Sequence, residues 1–403
     1  MIVIDGMSDR ILRDYGKTPL EMANIPNLDR MAKEGLCGQL DVLGVGRRAG
    51  SDTAHLAILG YDPHKVYTGR GPLEVAGTGI KLKPGDVSLR CNYATVDDNF
   101  NLISRTAGQI SESEGTMEFE KILNEIKLPV EYEFRNSLSY RCVLHLRGIG
   151  LSGDVCDAEP KREGAALNKI KPTKEGREAE KTSEILNKFI EESNRVLKNH
   201  PINLKRIKEG KFPANVIISR GAGRTPELEN FYDKWKMKGA VVAGIGLIKG
   251  LGFMTGMDVI NVPTATGYID SDFMAKGRAA IKALNDHDFV LLHVEGTDEP
   301  SHDRDVKGKI TALERVDEMI GYVMDNVSDT LIVVLADHTT STDLGDHTAD
   351  PTPLVLWGGD SVPDEVSKLT EKEMYKGGLH RIAGRDLMPL ILDQTNRAKK
   401  FGA

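Results

Sequence analysis

Three short segments of this chain carry side chains of the types that hold divalent cations. Thr330 to His347 reads TLIVVLADHTTSTDLGDH, an apolar run that ends in Asp337 and His338 and is followed by His347 in a polar loop. In TDEPSH, Asp298 and His302 stand four residues apart with Pro300 between them at a first helical turn, a spacing that lets both side chains face one side. Near the start, MIVID stops at Asp5 before Gly6. Three carboxylates and three imidazoles suffice for two divalent metals, and the mixed oxygen and nitrogen set suits manganese or zinc better than calcium. A two-metal site holds the attacking and leaving oxygens of an in-line phosphoryl displacement.

Taken singly, each segment is ordinary, since Asp-His pairs arise by chance and Asp5-Gly6 could be only a turn. What joins them is that all three follow apolar runs with the pattern of buried strands. A fourth segment, Ser51 in SDTAHLAIL, opens an apolar-periodic stretch that resembles a helix N-terminus. Two roles compete there. Ser51 is either an N-cap or a hydroxyl nucleophile set among free backbone N–H groups, where a phosphoryl anion is favoured.

These residues need a frame, and the texture of the chain predicts one. Strands are expected at 1–4, 38–43, 240–248, 257–262, 289–294 and 331–336, with helices at 24–35, 272–284 and 307–326. Such alternation predicts an α/β fold with a doubly wound, largely parallel sheet, which gathers ligands at the carboxyl ends of its strands. Between about 83 and 235 the sequence has its own alternation: strands at 86–96, 139–147 and 215–219, and helices at 115–126 and 181–198. A charged loop is expected at 159–180. The expected domains are therefore a discontinuous core, 1–82 with 236–403, and an inserted smaller α/β domain, 83–235.

With 403 residues, 40% of them hydrophobic, the chain can bury two cores. The balance of 53 basic and 60 acidic residues, with no long basic run, argues against nucleic acid or a membrane surface as a partner. Cys37, Cys91, Cys142 and Cys156 form no CxxC pair, so reduced thiols are expected. No apolar stretch approaches the roughly 20 residues that span a bilayer, and the N-terminus lacks a signal-peptide pattern. A soluble cytoplasmic protein is the expectation.

Read together, DGM, GSDTAHLAILGYDP, TDEPSH and ADHTTSTDLGDHTADPTPLVLWG resemble the alkaline phosphatase superfamily, and most closely the archaeal-type cofactor-independent phosphoglycerate mutases. YTGRGPLE, RCNYATVD and RGIGLSGDVCDAEP extend the resemblance over most of the chain. The resemblance implies an alkaline-phosphatase-like core and one metal on Asp298, His302 and His347. It places the other on Asp5, Ser51, Asp337 and His338, with Ser51 as the phosphorylated nucleophile. Manganese is the expected metal, with zinc, cobalt or magnesium as alternatives, and no 2,3-bisphosphoglycerate is needed. The substrate implied is phosphoglycerate. Arg220 and Arg224 in SRGAGR match the family's arginine pair, and Arg147, Lys276 and Asp157 are substrate or acid/base candidates by position.

The inserted domain has a chemical reason. A phosphatase lets water attack the phosphoserine, whereas a mutase must retain glycerate and offer its other hydroxyl, which calls for a cover with cationic clamps. A metal-dependent phosphomonoesterase or another phosphotransferase is the competing enzyme reading. A binding protein that has lost its chemistry is a third, against which stands the retention of all seven candidate ligands.

Overall fold

The structure, a computed structural model, describes residues 1–400 and 402. The chain divides into two compact units, Met1–Val66 with Leu228–Ala403, and Tyr67–Glu227. These limits differ from the expected 82/83 and 235/236. Helix Gly71–Gly77 packs on strand Val87–Val96 so closely that a Cβ on Gly71 would stand 2.0 Å from the Ser88 carbonyl oxygen. At the other limit, the Trp235 indole N–H donates to the Leu59 carbonyl at 3.0 Å, which ties helix Phe231–Trp235 to the first unit.

The first unit is built on an eight-stranded sheet. Its order is Arg381–Ala383, Leu36–Asp41, Thr352–Trp357, Ile332–Leu335, Ile2–Ile4, Phe289–Val294, Gly239–Val242 and Asp258–Ile260. Only Thr352–Trp357 runs against its neighbours, and every other pair is parallel, so the mostly parallel α/β sheet expected from the sequence is present. Alternation along each strand serves both faces. Ile2, Ile4, Val290, Leu292, Ala240 and Val242 pack with Leu28, Met31, Ala280, Leu313, Val316 and Ile320 of three helices. Val241 faces the other way, against helix Gly246–Thr255. Burying each such Val, Ile or Leu contributes about 1.5–3 kcal/mol, which fixes strand register because a one-residue slip would turn every side chain to the wrong face.

Two expected strands are corrected. The run 240–248 is strand only to Val242, and the rest begins helix Gly246–Thr255, because a short apolar run has no period to separate the two states. The segment 257–262 is not a buried strand: Asp258–Ile260 is the sheet's edge and is partly exposed.

The second unit is an antiparallel sheet in which Val87–Val96 lies between Arg141–Leu146 and Val216–Arg224, with Leu102–Ser104 and Tyr132–Asn136 completing it. Its apolar face, with Leu89, Cys91, Tyr93, Leu144 and Ile217, is covered by Ile185, Leu186, Phe189 and Ile190 of helix Arg177–Leu197. That helix starts inside the loop expected at 159–180. All four cysteines are unpaired. No helix among the described residues is long and apolar enough to cross a membrane.

One buried lysine ties two strand ends of the first unit together. Lys309 is fully buried, and its ammonium donates to the Ser8 carbonyl, Asp9 Oδ2 and the Thr340 carbonyl at 3.2, 3.0 and 2.9 Å. Asp9 in turn accepts from the Thr342 hydroxyl at 2.6 Å. Lys309→Met leaves that carboxylate buried and uncompensated, and should cost about 3–5 kcal/mol in urea-induced unfolding. A loss below about 1 kcal/mol would show that the pair does not hold these loops.

Candidate active site

Strand Ile2–Ile4 lies between Phe289–Val294 and Ile332–Leu335 and is parallel to both, with Ile4 level with Val294 and Val3 with Leu335. Three parallel neighbours must end at the same edge, so Asp5, Asp298 and Asp337, far apart in sequence, come out together. Gly6 makes the turn with φ of +62°, and a Cβ there would stand 2.6 Å from Thr340 Oγ1 and 2.8 Å from Asp298 Oδ1. No other residue fits between the first strand and its neighbours' ligands. Beyond His338, Thr339–Ser341 pairs with Asp346–Thr348, setting His347 opposite Thr340 and returning it to the site.

The cluster has an inner and an outer part. Inside, His338 Nε2 stands 3.3 Å from Asp5 Oδ1 and 3.3 Å from Asp337 Oδ2, with all three residues buried. Outside, His302 Nε2 is 3.3 Å from Asp298 Oδ2 and 3.1 Å from His347 Nε2, and the His302 side chain is 39% exposed. The His338 and His347 rings stack at 3.6 Å and join the two parts. Ser51 is the first residue of helix Ser51–Ile58, after Gly50 at the cap, and its Oγ lies 3.3 Å from His338 Nε2. It is therefore not the N-cap, the first of its two possible roles.

Each imidazole is oriented from behind. Nδ1–H donates to the Gly345 carbonyl in His302 and to the Ala49 carbonyl in His347, at 2.9 and 2.8 Å. In His338 it meets Thr340 Oγ1 at 3.0 Å, and that hydroxyl donates to Asp298 Oδ1 at 2.7 Å. Anchoring Nδ1 fixes the tautomer and leaves Nε2 as the lone-pair donor aimed into the site, the arrangement of metal-ligating histidines.

Electrostatics point the same way. Burial, and then the Asp337 and Asp298 carboxylates, push the Asp5 carboxyl well above the ordinary range. Burial also works against ionised Asp298, yet hydrogen bonds from His302 and His347 hold it well below. The Asp298 hydrogen bond in turn raises His302 to about 9. Asp5 Oδ1 and Asp337 Oδ2 are buried without hydrogen-bond partners. Crowded carboxylates, orphaned buried carboxylate oxygens and preset imidazoles fit divalent cations, and Asp5 with Asp337 and His338, or Asp298 with His338 and His347, are close enough to hold one.

The basic candidates separate. Lys276 is fully buried and its ammonium lies 2.5 Å from Glu295, so it is not a surface group that meets substrate. Arg147 pairs with Glu133 at 2.9 Å, and Arg224, the last residue of its strand, faces Glu178 at 3.9 Å. Arg220, by contrast, stands directly opposite Arg90 across the strand pair, and Arg141 is opposite Asn92 on the same face. Arg70 and Arg90 both reach Glu74, at 2.8 and 3.7 Å, while Arg220 reaches Glu159 at 3.3 Å. Burial, with Arg70, Arg220 and Arg141 nearby, pushes Arg90 down to about 9, and its Nε has no hydrogen-bond partner. Like charges facing across a sheet are destabilising, which makes this face a candidate anion site. Asp157 is exposed and accepts from the Gly221 N–H at 2.8 Å, next to Arg220.

The sequence reading missed Arg70, Arg90, Arg141, His55 and His293. A signal was present for Arg90, since Ser88, Arg90 and Asn92 alternate with Leu89, Cys91 and Tyr93 in one strand.

Sheet and site together define a doubly wound α/β protein with a candidate metal-dependent centre at the carboxyl ends of its strands. Residues 32–203 match the family model described as 2,3-bisphosphoglycerate-independent phosphoglycerate mutase. A protein of that name followed by 1, from Methanocaldococcus jannaschii, is 47% identical over 406 residues, covering 100% of this chain and 98% of its own. One from Methanopyrus kandleri is 46% identical over 411 residues, covering 100% and 97%. Among solved structures, a protein from Pyrococcus horikoshii superposes with a TM-score of 0.86 at 36% identity, covering 100% of this chain and 98% of its own. The cofactor-independent phosphoglycerate mutase of Thermoplasma acidophilum gives 0.66 at 30%, covering 98% of each. The chain belongs to the 2,3-bisphosphoglycerate-independent phosphoglycerate mutase family.

If the outer group holds its own ion, His347→Ala should weaken one of two Mn²⁺ binding steps on the order of 100-fold and leave the other within about threefold. Titration followed by the electron paramagnetic resonance of free Mn²⁺ reads both steps. Equal weakening of the two would exclude separate inner and outer ions.

Proposed function

We propose that this isomerase interconverts 3-phosphoglycerate and 2-phosphoglycerate through a phosphoserine on Ser51, without 2,3-bisphosphoglycerate. The observation that carries the reading is the Ser51 hydroxyl, at a helix start and 3.3 Å from the His338 nitrogen that also meets Asp5 and Asp337. Two divalent cations, Mn²⁺ being the first choice, would be held by Asp5, Ser51, Asp337 and His338 and by Asp298, His302 and His347. When bound they supply Lewis acidity that eases deprotonation of a hydroxyl and offsets charge on the phosphoryl oxygens.

In the first half reaction, Ser51 Oγ forms its bond to phosphorus as the bond to the glycerate oxygen breaks. The serine proton leaves, and the glycerate oxygen gains one. In the second half, the other glycerate hydroxyl attacks the phosphoserine and loses its proton, and Ser51 is restored. Asp157 is our choice for the group that moves protons between the two hydroxyls.

Holding glycerate between the halves is the task we assign to the arginine face of the second unit. Arg70 and Arg90 reach Glu74, Arg220 reaches Glu159, and Arg141 adds to the positive field at Arg90, a setting that suits a carboxylate or phosphate. Guanidinium groups bind such anions in bidentate fashion. Arg147, Lys276 and Arg224 are engaged elsewhere and are not needed for it. A reaction on free phosphoglycerate fits a cytoplasmic place in glycolysis and gluconeogenesis.

Phosphorus NMR of the Mn²⁺-loaded protein with 3-phosphoglycerate, and no bisphosphoglycerate, should show 2-phosphoglycerate growing in to equilibrium. Free phosphate as the only product would exclude the mutase reading. Ser51→Ala should abolish turnover with the fold retained. Arg90→Leu should lower kcat/KM about 10- to 100-fold, the worth of one charge-assisted hydrogen bond, and unchanged kinetics would remove the arginine face from the reaction.

A further inference from the structure

Lys276 is buried without access to solvent, yet its charge points somewhere specific. Its ammonium meets Glu295 Oε2 at 2.5 Å. Glu295 Oε1 accepts from the Gly244 and Ile245 N–H groups at 2.8 and 3.2 Å and lies 3.2 Å from His293 Nδ1. The other ring nitrogen, His293 Nε2, stands 3.4 Å from Asp5 Oδ2. Lys276, Glu295, His293 and Asp5 are each at most 4% exposed. A buried ion pair adds little to stability over packed apolar side chains, so its ending on a candidate ligand is informative.

Asp5 needs such support more than its partners do. Asp337 Oδ1 accepts from the Gly6 N–H at 3.3 Å, and Asp298 Oδ1 from the Thr340 hydroxyl at 2.7 Å. Asp5 Oδ1 has no hydrogen-bond partner, and Oδ2 faces His293. We propose that Lys276, acting through Glu295 and His293, is a positioning residue that holds Asp5 Oδ2 and so turns Oδ1 toward the inner cation. Ligating carboxylates are commonly held this way from behind, and loss of such support weakens metal affinity 10- to 100-fold. The cluster of His55, His293 and Asp337 is better explained by this support than as a third ion site, because both His293 nitrogens already face carboxylates. The inference rests on the assignment of Asp5 as a ligand.

The test is Mn²⁺ titration of the full chain, read by electron paramagnetic resonance, for Lys276→Met, Glu295→Gln and the double variant, alongside thermal melting. In each folded single variant, the Mn²⁺ step that survives in His347→Ala should weaken about 10- to 100-fold, and the other should stay within about threefold. The double variant carries no unpaired buried charge, so its melting midpoint should return toward that of the wild type while the same Mn²⁺ step remains weak. It keeps the test decisive if a single variant fails to fold. Both steps unchanged, both weakened alike, or wild-type Mn²⁺ affinity in the double variant would overturn the inference alone. A wild-type protein that binds no Mn²⁺ would overturn it together with the ligand assignment.

Discussion

Asp5, Asp298 and Asp337 stand close enough to raise one another's cost of ionisation, inside a part of the fold with little water to screen them. That repulsion is the constraint to which the first unit answers. Three parallel strands put the carboxylates there, and burial alone would favour neutral acids. The imidazoles of His302, His338 and His347, each with Nδ1 tied to a carbonyl or hydroxyl, oppose that tendency and leave lone pairs pointing inward. The arrangement fits cations among the ligands, and the buried Asp5 Oδ1 and Asp337 Oδ2, which lack hydrogen-bond partners, are consistent with it.

Much of the surrounding packing serves the same end. Lys309 binds the loops after the first strand and after Ile332–Leu335 to one ammonium, so that Asp5 and Asp337 cannot drift apart independently. Gly6 is demanded twice, by its positive φ and by the nearness of Thr340 and Asp298. The long helices carry no ligand, but they bury the apolar face that sets strand register, and register decides that ligands rather than apolar side chains emerge at the strand ends.

The second unit solves the opposite electrostatic problem. Its sheet has one apolar face and one face where Arg90, Arg141 and Arg220 sit on adjacent strands, with Glu74 and Glu159 among them.

The sequence by itself determined where side chains of metal-ligating type stand. Asp5, Asp298, His302, Asp337 and His338 each lie at or just beyond an apolar run, and strand ends are legible because burial imposes an apolar pattern that stops where the chain meets the site. It also determined the parallel α/β class and the existence of an inserted unit, though not its limits, because short helices and strands at a domain edge have no pattern that says which core they join. Only the tertiary structure decided the fate of the charged residues. Lys276, Arg147, Arg220 and Arg224 look alike in a sequence, since charge carries no period and a lysine is compatible with surface, ion pair or ligand site. Packing sent Lys276 to Glu295 and brought Arg220 beside Arg90. Sheet register, a property of chain segments distant in sequence, was the cause in the second case, and burial of a whole helix face in the first.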